Sequence, residues 1–280
     1  MVLSRQVKNI ARWSVHLVLI AFGIIWIYPF VWMISSSFKT NSEYISKGYS
    51  FLPEKFQFAN YARAWETANF STYFVNTVLV SVFVVAIVVA VCAMTGYVLG
   101  RYRFPGRMLF MSVITATLFM PKGYTIIPIY FLINTLGLNN TLAGVILAEV
   151  GGAHVLFILL FTAHFSGIPK ELEEAAEMDG SGFIRTFVQI MMPLSKPILA
   201  TTCILQFMWS WNSFLLPLIF TLSKPELRTL GVGMYQFVGE HSVDWTGMAA
   251  AASISLLPII AIFIAFQRYF VEGVAGSVKG

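Results

Sequence analysis

Three ionisable residues interrupt stretches that are otherwise apolar: Lys122, Glu149 and His154. A charged side chain at the centre of a membrane helix costs about 2.5–3.5 kcal/mol, so such residues usually face a cavity, pair with one another or relay ions. One interpretation is therefore an ion or proton pathway. For Lys122 two further roles stay open: a structural ion pair with Glu149, and a place on a route for a negatively charged substrate.

A second group of chemically useful residues lies in the stretch WSWNSFLLPL, near the end of the fifth long apolar segment. Aromatic faces with polar groups at the ring edge are a common means of holding a sugar. Trp209, Trp211 and Asn212, together with Lys122, are therefore candidates for a substrate pathway. The alternative is aromatic packing around an asparagine whose amide is hydrogen-bonded.

The third group is acidic. Five of the thirteen carboxylates fall between Glu171 and Asp179. One interpretation is the solvated face of a helical hairpin, and the other is a docking surface for a protein. No metal-ligand spacing, no G-x-x-x-x-G-K-[ST] phosphate loop and no nucleophile elbow occurs in the sequence, so we predict no catalytic site and no metal site.

These groups must be positioned by membrane helices, because the chain is 58% hydrophobic and only 11% charged. Backbone groups in lipid have no water to bond, so each spanning segment must be helical. The sequence predicts an all-α membrane protein with six transmembrane helices, and prolines predict a break in the third and kinks in the last two. The apolar segments lie near 13–36, 73–98, 108–133, 141–165, 198–220 and 248–268.

The distribution of lysine and arginine predicts the orientation. With both termini cytoplasmic, eleven of these residues lie inside and six outside, and the hairpin GRYRFPGRM carries three arginines and no acid. We therefore expect a cytoplasmic N-terminal tail (1–12), a transmembrane domain (13–270) and a cytoplasmic C-terminal tail (271–280). The acidic run then lies in a cytoplasmic loop, 166–197.

That loop predicts two short helices. Pro169 suits the first position of a helix, and the early glutamates lie near its positive end. Gly180 falls where a C-terminal glycine is expected. Leu172, Ala175, Ala176 and Asp179 share one face, and Phe183, Phe187 and Ile190 then recur at helical spacing.

The loop resembles the EAA loop of ABC-importer permeases, a pattern over twenty residues. The matching residues are Glu174, Ala175, Ala176, Gly180, Ile190, Met192 and Pro193. Met192 stands where leucine is usual, which conserves volume. The stretches WIYPFVWMISSSFK, GYVLGRYRFPGR, WSWNSFLLPL and QRYFVEGVAGSVKG are similar to carbohydrate permeases of the maltose and oligosaccharide type.

This resemblance implies the permease subunit of an ATP-driven sugar importer in the inner membrane of a prokaryote, and not an enzyme. It implies ATPase coupling through Glu174, Ala175, Ala176, Asp179, Gly180 and Pro193. The implied partners are a second, homologous permease in a heterodimer, two copies of a cytoplasmic ABC ATPase, an extracytoplasmic solute-binding protein and the lipid bilayer, with no nucleic acid. ATP and Mg²⁺ would bind the ATPase, and this chain would hold no cofactor.

The alternative is a secondary transporter driven by an ion gradient, using Lys122, Glu149 and His154. It predicts inverted repeats and discontinuous helices. We see no repeat between the two halves of the sequence, and this alternative leaves the EAA pattern unexplained. The tail 271–280 has two interpretations, a frayed end and a segment that reaches the ATPase interface.

Overall fold

The computed structural model describes the backbone of residues 2–67, 69–152, 154–239 and 242–277, and the side chains of 12–66, 69–121, 123–152, 154–239 and 242–268. Within these ranges the regular structure is helical, with one isolated β-bridge between Val238 and Val243. The α-helices are α1 (Val2–Ser36), α2 (Asn41–Ser46), α3 (Ala59–Thr67), α4 (Phe70–Arg101), α5 (Arg107–Ala116), α6 (Ile126–Thr135), α7 (Leu142–Val150), α8 (Val155–Gly167), α9 (Glu171–Met178), α10 (Phe183–Thr186), α11 (Met192–Leu194), α12 (Lys196–Trp211), α13 (Leu215–Phe220), α14 (Leu230–Gly233) and α15 (Trp245–Ser277).

Three helical segments are long and apolar enough to cross a membrane, and the number rises to six if each of three bent helix pairs counts as one span. The three long segments are Arg12–Ser36, Phe70–Arg101 and Trp245–Arg268. The bent pairs turn by 104° between Phe119 and Gly123, by 57° between α7 and α8, and by 83° at Ser195. The structure thus confirms a largely helical chain with three to six candidate spans.

The breaks in these spans have local causes. The sequence predicts a break in the third segment, and the chain there leaves the α-helix for short 3₁₀ turns at Thr117–Phe119 and Lys122–Thr125. Prolines explain this, because Pro121 and Pro128 cannot donate the backbone bonds of a continuous helix. In the fifth segment α12 ends at Trp211, before the expected kink at Pro217, which instead lies buried inside α13.

The chain separates into two compact units. The first comprises residues 1–70 and 234–256 and includes α1, α2, α3 and the start of α15. Here Asp244 begins α15, because its Oδ1 accepts the backbone N–H of Gly247 at 2.9 Å. Arg63 of α3 forms an ion pair with the same carboxylate at 2.8 Å.

The second unit comprises residues 71–233 and 257–280. Its core lies between α4 and α8, whose backbones approach closely at two glycines. A Cβ on Gly96 would lie 2.4 Å from Cβ of Phe161, and one on Gly100 would lie 2.9 Å from the backbone oxygen of Thr162. Two small residues four positions apart let the backbones of two helices come into contact, as in many membrane helix pairs.

The predicted tails continue helices in the structure. α1 begins at Val2, so the predicted tail 1–12 is helical from its second residue. α15 runs to Ser277, through most of the predicted tail 271–280, whose last three residues lie outside the described chain.

Candidate functional site

Tyr97 is the centre of an aromatic cluster that joins α4, α8 and α10 inside the second unit. Its side chain is fully buried, and its ring lies 5.4 Å from Phe165, 5.3 Å from Phe183 and 5.2 Å from Phe187, measured between ring centroids. Tyr102 packs edge-on against the same ring. Aromatic contacts at these distances are favourable beyond their buried area, so the cluster ties the loop after α9 to two long helices.

An ion pair continues this link to α9. Arg101, the last residue of α4, binds the Glu173 carboxylate, and the Tyr97 hydroxyl donates to the same carboxylate at 2.7 Å. The Arg101 side chain is only 3% exposed. Its other guanidinium N–H groups donate to the backbone oxygens of Phe165 and Ile168, at the end of α8.

The Arg101–Glu173 pair therefore fastens three elements at one point: the end of α4, the end of α8 and the first turn of α9. Both charges are largely buried, and removing one partner of a buried pair usually costs about 3–5 kcal/mol. Arg101 also satisfies carbonyls that the end of α8 leaves without helical partners. This arrangement attaches the first turn of α9 to the ends of α4 and α8.

α9 ends as its sequence predicts. Gly180 has φ +77°, and its N–H donates to the Glu177 oxygen at 2.9 Å, while the Ser181 N–H donates to the Ala176 oxygen at 2.8 Å. These two bonds are a Schellman motif, which needs a residue with positive φ. The sequence predicted that the helix starts at Pro169. In the structure α9 starts two residues later, at Glu171.

The two alanines of α9 face different surroundings. Ala176 is 5% exposed and packs within the chain, whereas Ala175 is open to the surface. Leu172 and Met178 are also exposed, at 41% and 88%. The open surface of α9 is therefore a short apolar strip flanked by carboxylates, including Glu174.

The chain returns from the loop through a helix with an irregular stretch. The expected second helix is present, but residues Phe187–Met191 form a π-helical stretch between α10 and α11. In this stretch Phe187 and Met191 are buried, whereas Ile190 is half-buried. Pro193 is exposed in α11, and the chain then bends at Ser195, whose buried hydroxyl donates to the Met191 oxygen at 2.7 Å.

A cavity of about 540 Å³ lies in the second unit where three helical segments are interrupted. We call it the break cavity. Its walls come from the turns around Thr117–Ile129, the junction of α7 and α8, and the junction of α12 and α13. Its polar lining residues are Thr117, Thr125, Glu149, His154, Gln206, Trp209, Ser210 and Ser213.

Glu149 is the carboxylate among the described lining residues, and it is 8% exposed. The Ser210 hydroxyl donates to its Oε2 at 2.7 Å, and the Ser213 side chain lies near the same carboxylate. Among the described residues, no group completes a hydrogen bond to its Oε1. Gln206, 3% exposed, likewise has no partner for its Oε1.

The candidates for a substrate pathway separate in the structure. Trp209 lines the break cavity, with its ring stacked on Phe157 at 5.1 Å. Trp211 is 3% exposed and packs between Phe74 and Phe207, apart from the cavity lining. Asn212 is exposed, and its amide donates to the Met208 oxygen at 2.7 Å. The Lys122 side chain lies outside the described residues.

The sequence analysis missed Gln206 and Ser210 as members of the candidate site. A signal was present, because Gln206 and Ser210 lie four residues apart in an apolar helix, which places them on one face. Their partner Glu149 is 61 residues away from Ser210 in the sequence. Within the described chain, no group of three or more His, Cys, Asp or Glu is arranged to hold a metal ion.

Comparisons with known proteins identify the family of the chain. Residues 92–276 match the family described as binding-protein-dependent transport system inner membrane component. The diacetylchitobiose uptake system permease protein NgcG of Streptomyces coelicolor is 36% identical over 265 residues, 94% of this chain and 86% of that protein. The trehalose/maltose transport system permease protein MalG of Thermococcus litoralis is 31% identical, over 93% of this chain and 94% of that one.

A solved structure is similar along almost the whole chain. It is a bacterial ABC transporter involved in the import of the acidic polysaccharide alginate, with 26% sequence identity and a TM-score of 0.79 over 94% of this chain and 97% of that one. Both the sequence matches and the shared fold extend across the helices that carry the candidate site. The chain therefore belongs to the family of inner membrane components of binding-protein-dependent transport systems.

Proposed function

We propose that this chain is the permease subunit of an ATP-driven sugar importer, that it forms half of the translocation pathway, and that α9 receives the motion of a separate ATPase. The observation that carries the coupling role is the Arg101–Glu173 pair. It joins α9 to the ends of α4 and α8 through largely buried contacts. A displacement of α9 would therefore be passed to α4 and α8. A helical hairpin that only exposes its acidic residues to solvent would need no such attachment.

The same pair supports the orientation. Arg101 contacts α9, so α9 lies at the end of α4 that carries the arginine-rich hairpin 101–107. Positive charge near helix ends favours the cytoplasmic side, so α9 and both termini are cytoplasmic in the proposal. The open strip of Leu172, Ala175 and Met178 then faces a cytoplasmic protein, with Glu174 at its edge.

The sugar substrate is supported by the relatives. They include permeases for diacetylchitobiose, for trehalose and maltose, and for melibiose, raffinose and stachyose. Importers of this family take solute from a binding protein, as the family description implies. The proposal adds a second permease chain as a heterodimer partner and two ATPase subunits that bind ATP and Mg²⁺.

An ion-driven transporter is less well supported. Interrupted helices are what that alternative predicts, and two of the three bent helix pairs have their breaks in the lining of the break cavity that contains Glu149 and His154. The family match and the similarity to a solved ABC transporter favour ATP as the energy source.

The function is tested by reconstituting the purified complex of this chain with its co-purifying subunits in proteoliposomes. We expect uptake of at least one neutral sugar when ATP and Mg²⁺ reach the ATPase side and the solute-binding protein is on the other side. Uptake should stop with an ATPase subunit that cannot hydrolyse ATP, and it should be indifferent to ionophores. Uptake driven by a proton or sodium gradient without ATP would overturn the proposal.

A further inference from the structure

We propose that a groove between α4 and α5, beside the arginine-rich hairpin 101–107, binds one anionic phospholipid of the cytoplasmic leaflet. An acyl chain lies in the groove, and Arg103 and Arg107 hold the phosphate of the headgroup. We call this surface the hairpin groove, and its lining residues are Met94, Thr95, Val98, Leu99, Phe104 and Phe110. The choice of leaflet rests on the proposed function, in which this end of α4 is cytoplasmic.

The hairpin groove is apolar and open to the surface. Thr95 is the one polar residue among its described lining residues. Met94, Phe104 and Phe110 are 42%, 39% and 46% exposed, so the groove can be reached from outside the chain. Its volume of about 300 Å³ is at the small end of the range for ligand sites. An apolar groove of this size between two membrane helices suits an acyl chain.

Two arginines lie beside one end of this groove. Arg103 directly precedes the lining residue Phe104. Arg107 and the lining residue Phe110 are three positions apart in α5, which places them on one face of the helix. Met94 lies about two turns before the end of α4, so the lining extends about 10 Å along that helix. A phosphate at the arginines and a chain along the groove match the orientation of a phospholipid in a leaflet.

Both arginines lack an anion within the described chain. Arg101 is paired with Glu173, but no described residue forms a hydrogen bond or an ion pair with Arg103 or Arg107. Arg107 is half-buried, and Nε is its one enclosed atom without a partner, so its terminal nitrogens reach the surface. Packing around Nε therefore holds this side chain in place while the charged end stays available to a ligand.

The local charge identifies the headgroup as anionic. The hairpin contains no acid, and each arginine near the cytoplasmic surface strengthens the binding of an anionic lipid about fivefold. Basic pockets between membrane helices on this side are known places for phosphate headgroups. A zwitterionic lipid brings a positive group together with its phosphate and gains less. A soluble phosphate has no acyl chain for the groove.

The site is tested by photolabelling the full complex of this chain with its co-purifying subunits, in mixed micelles with a non-ionic detergent. The probe is phosphatidylglycerol with a diazirine in one acyl chain, and adducts are mapped by peptide mass spectrometry. Unlabelled phosphatidylglycerol, phosphatidylcholine with the same chains and glycerol 3-phosphate are the competitors. The unmodified complex is sufficient for this competition, so it does not depend on whether a variant assembles.

Three variants separate the charges from the groove. The double variant Arg103→Gln, Arg107→Gln removes both cations, and Val98→Phe narrows the groove while both cations stay. The control Arg185→Gln removes an exposed arginine of α10, elsewhere on the proposed cytoplasmic side.

We expect an adduct within residues 94–110, displaced by phosphatidylglycerol at a mole fraction at least tenfold lower than by phosphatidylcholine, and not displaced by glycerol 3-phosphate. Labelling should fall about twentyfold in the double variant, at about fivefold for each arginine. It should fall at least fivefold in Val98→Phe and less than twofold in Arg185→Gln. Equal competition by the two lipids, displacement by glycerol 3-phosphate, or full labelling of the double variant would each overturn the inference.

A second probe distinguishes a lipid from a protein in the groove. The photo-reactive residue p-benzoylphenylalanine in place of Phe110 should form an adduct with phosphatidylglycerol. A cross-link from this position to a partner subunit instead would show that the groove is a protein interface, and the inference would be wrong. Labelling requires neither ATP nor sugar. Absence of the lipid adduct from a complex with ATP-driven uptake therefore defeats this inference alone, and absence of uptake from a labelled complex defeats the proposed function alone.

Discussion

Replacing Glu173 with glutamine will lower sugar uptake by about tenfold or more while the complex still assembles and still binds ATP. The substitution keeps the size of the side chain but leaves the Arg101 guanidinium, 3% exposed, without its counter-charge. An uncompensated buried charge is costly, and here the cost falls on the contact that fastens α9 to α4 and α8. Hydrolysis and uptake are measured on the same proteoliposomes, so that their ratio reports coupling.

The matched control is Glu171→Gln. Glu171 is two residues away on the same helix and is exposed, so its charge is solvated and its loss should change uptake by less than twofold. Tyr97→Phe removes the 2.7 Å hydrogen bond to Glu173 and a weaker one, 3.5 Å long, with the Tyr102 hydroxyl, and it should give an intermediate effect. Equal ratios of uptake to hydrolysis in Glu173→Gln and Glu171→Gln would show that the pair is not part of the coupling path.

Replacing Gly180 with valine will also lower the ratio of sugar uptake to ATP hydrolysis, by about tenfold. The cause is the backbone conformation at this position. Gly180 has φ +77°, and a Cβ added there meets nothing within 4 Å, so the penalty does not come from crowding inside the chain. A left-handed conformation costs an L-residue roughly 1–2 kcal/mol, and β-branching makes it worse. The Schellman bonds of Gly180 and Ser181 are then lost, and with them the direction in which the chain leaves α9.

The variant Gly180→Asn distinguishes the effect of backbone conformation at this position from the effect of side-chain size. Asparagine is larger than glycine but tolerates the left-handed region, so it should keep most of the uptake that Gly180→Val loses. The readouts are uptake, ATP hydrolysis and ATPase binding. If asparagine and valine uncouple equally, the position requires a small side chain at a protein interface, and the conformational explanation is wrong.

The features of α9 that could be predicted from the sequence are those that depend on near neighbours. The glycine at its end, the acidic first turn and the helix after it follow from rules that act within a few residues. The sequence predicted a short helix here, which the structure has, and its role in docking stays a prediction. The sequence could not predict that Ala176 is buried while Ala175 is exposed. The burial of Ala176 depends on packing between segments that are distant in the chain.

The ion pair and the cavity depend on contacts of long sequence separation. Arg101 and Glu173 are 72 residues apart, and nothing local to either one indicates the other. In the fifth apolar segment the sequence drew attention to Trp211, which the structure places in an aromatic core with Phe74 and Phe207. The pair Gln206 and Ser210 was the better signal for the cavity wall, because it places two polar side chains on one face of an apolar helix.

The prolines show the same difference between features with a local cause and features that depend on other residues. Pro121 and Pro128 predicted the interrupted third segment, since a missing N–H acts at its own position. The fifth segment breaks at residues 212–214 instead of at Pro217. There the Asn212 amide bonds back to the Met208 oxygen and the Ser213 N–H bonds to the Ser210 oxygen, so polar side chains and backbone end the helix before the proline is reached.

The central claim, that α9 is the surface on which a separate ATPase docks, is tested most directly by site-specific cross-linking. Single cysteines at Met178, which is 88% exposed on α9, and at Leu136, which is 55% exposed in the hairpin between α6 and α7, are introduced after Cys92 and Cys203 are replaced by alanine. A thiol-anchored photo-cross-linker on position 178 is predicted to form an adduct with the ATPase subunit, and the same reagent on position 136 is predicted to form none. An ATPase adduct from position 136, or none from position 178 in a complex that hydrolyses ATP, would contradict the claim.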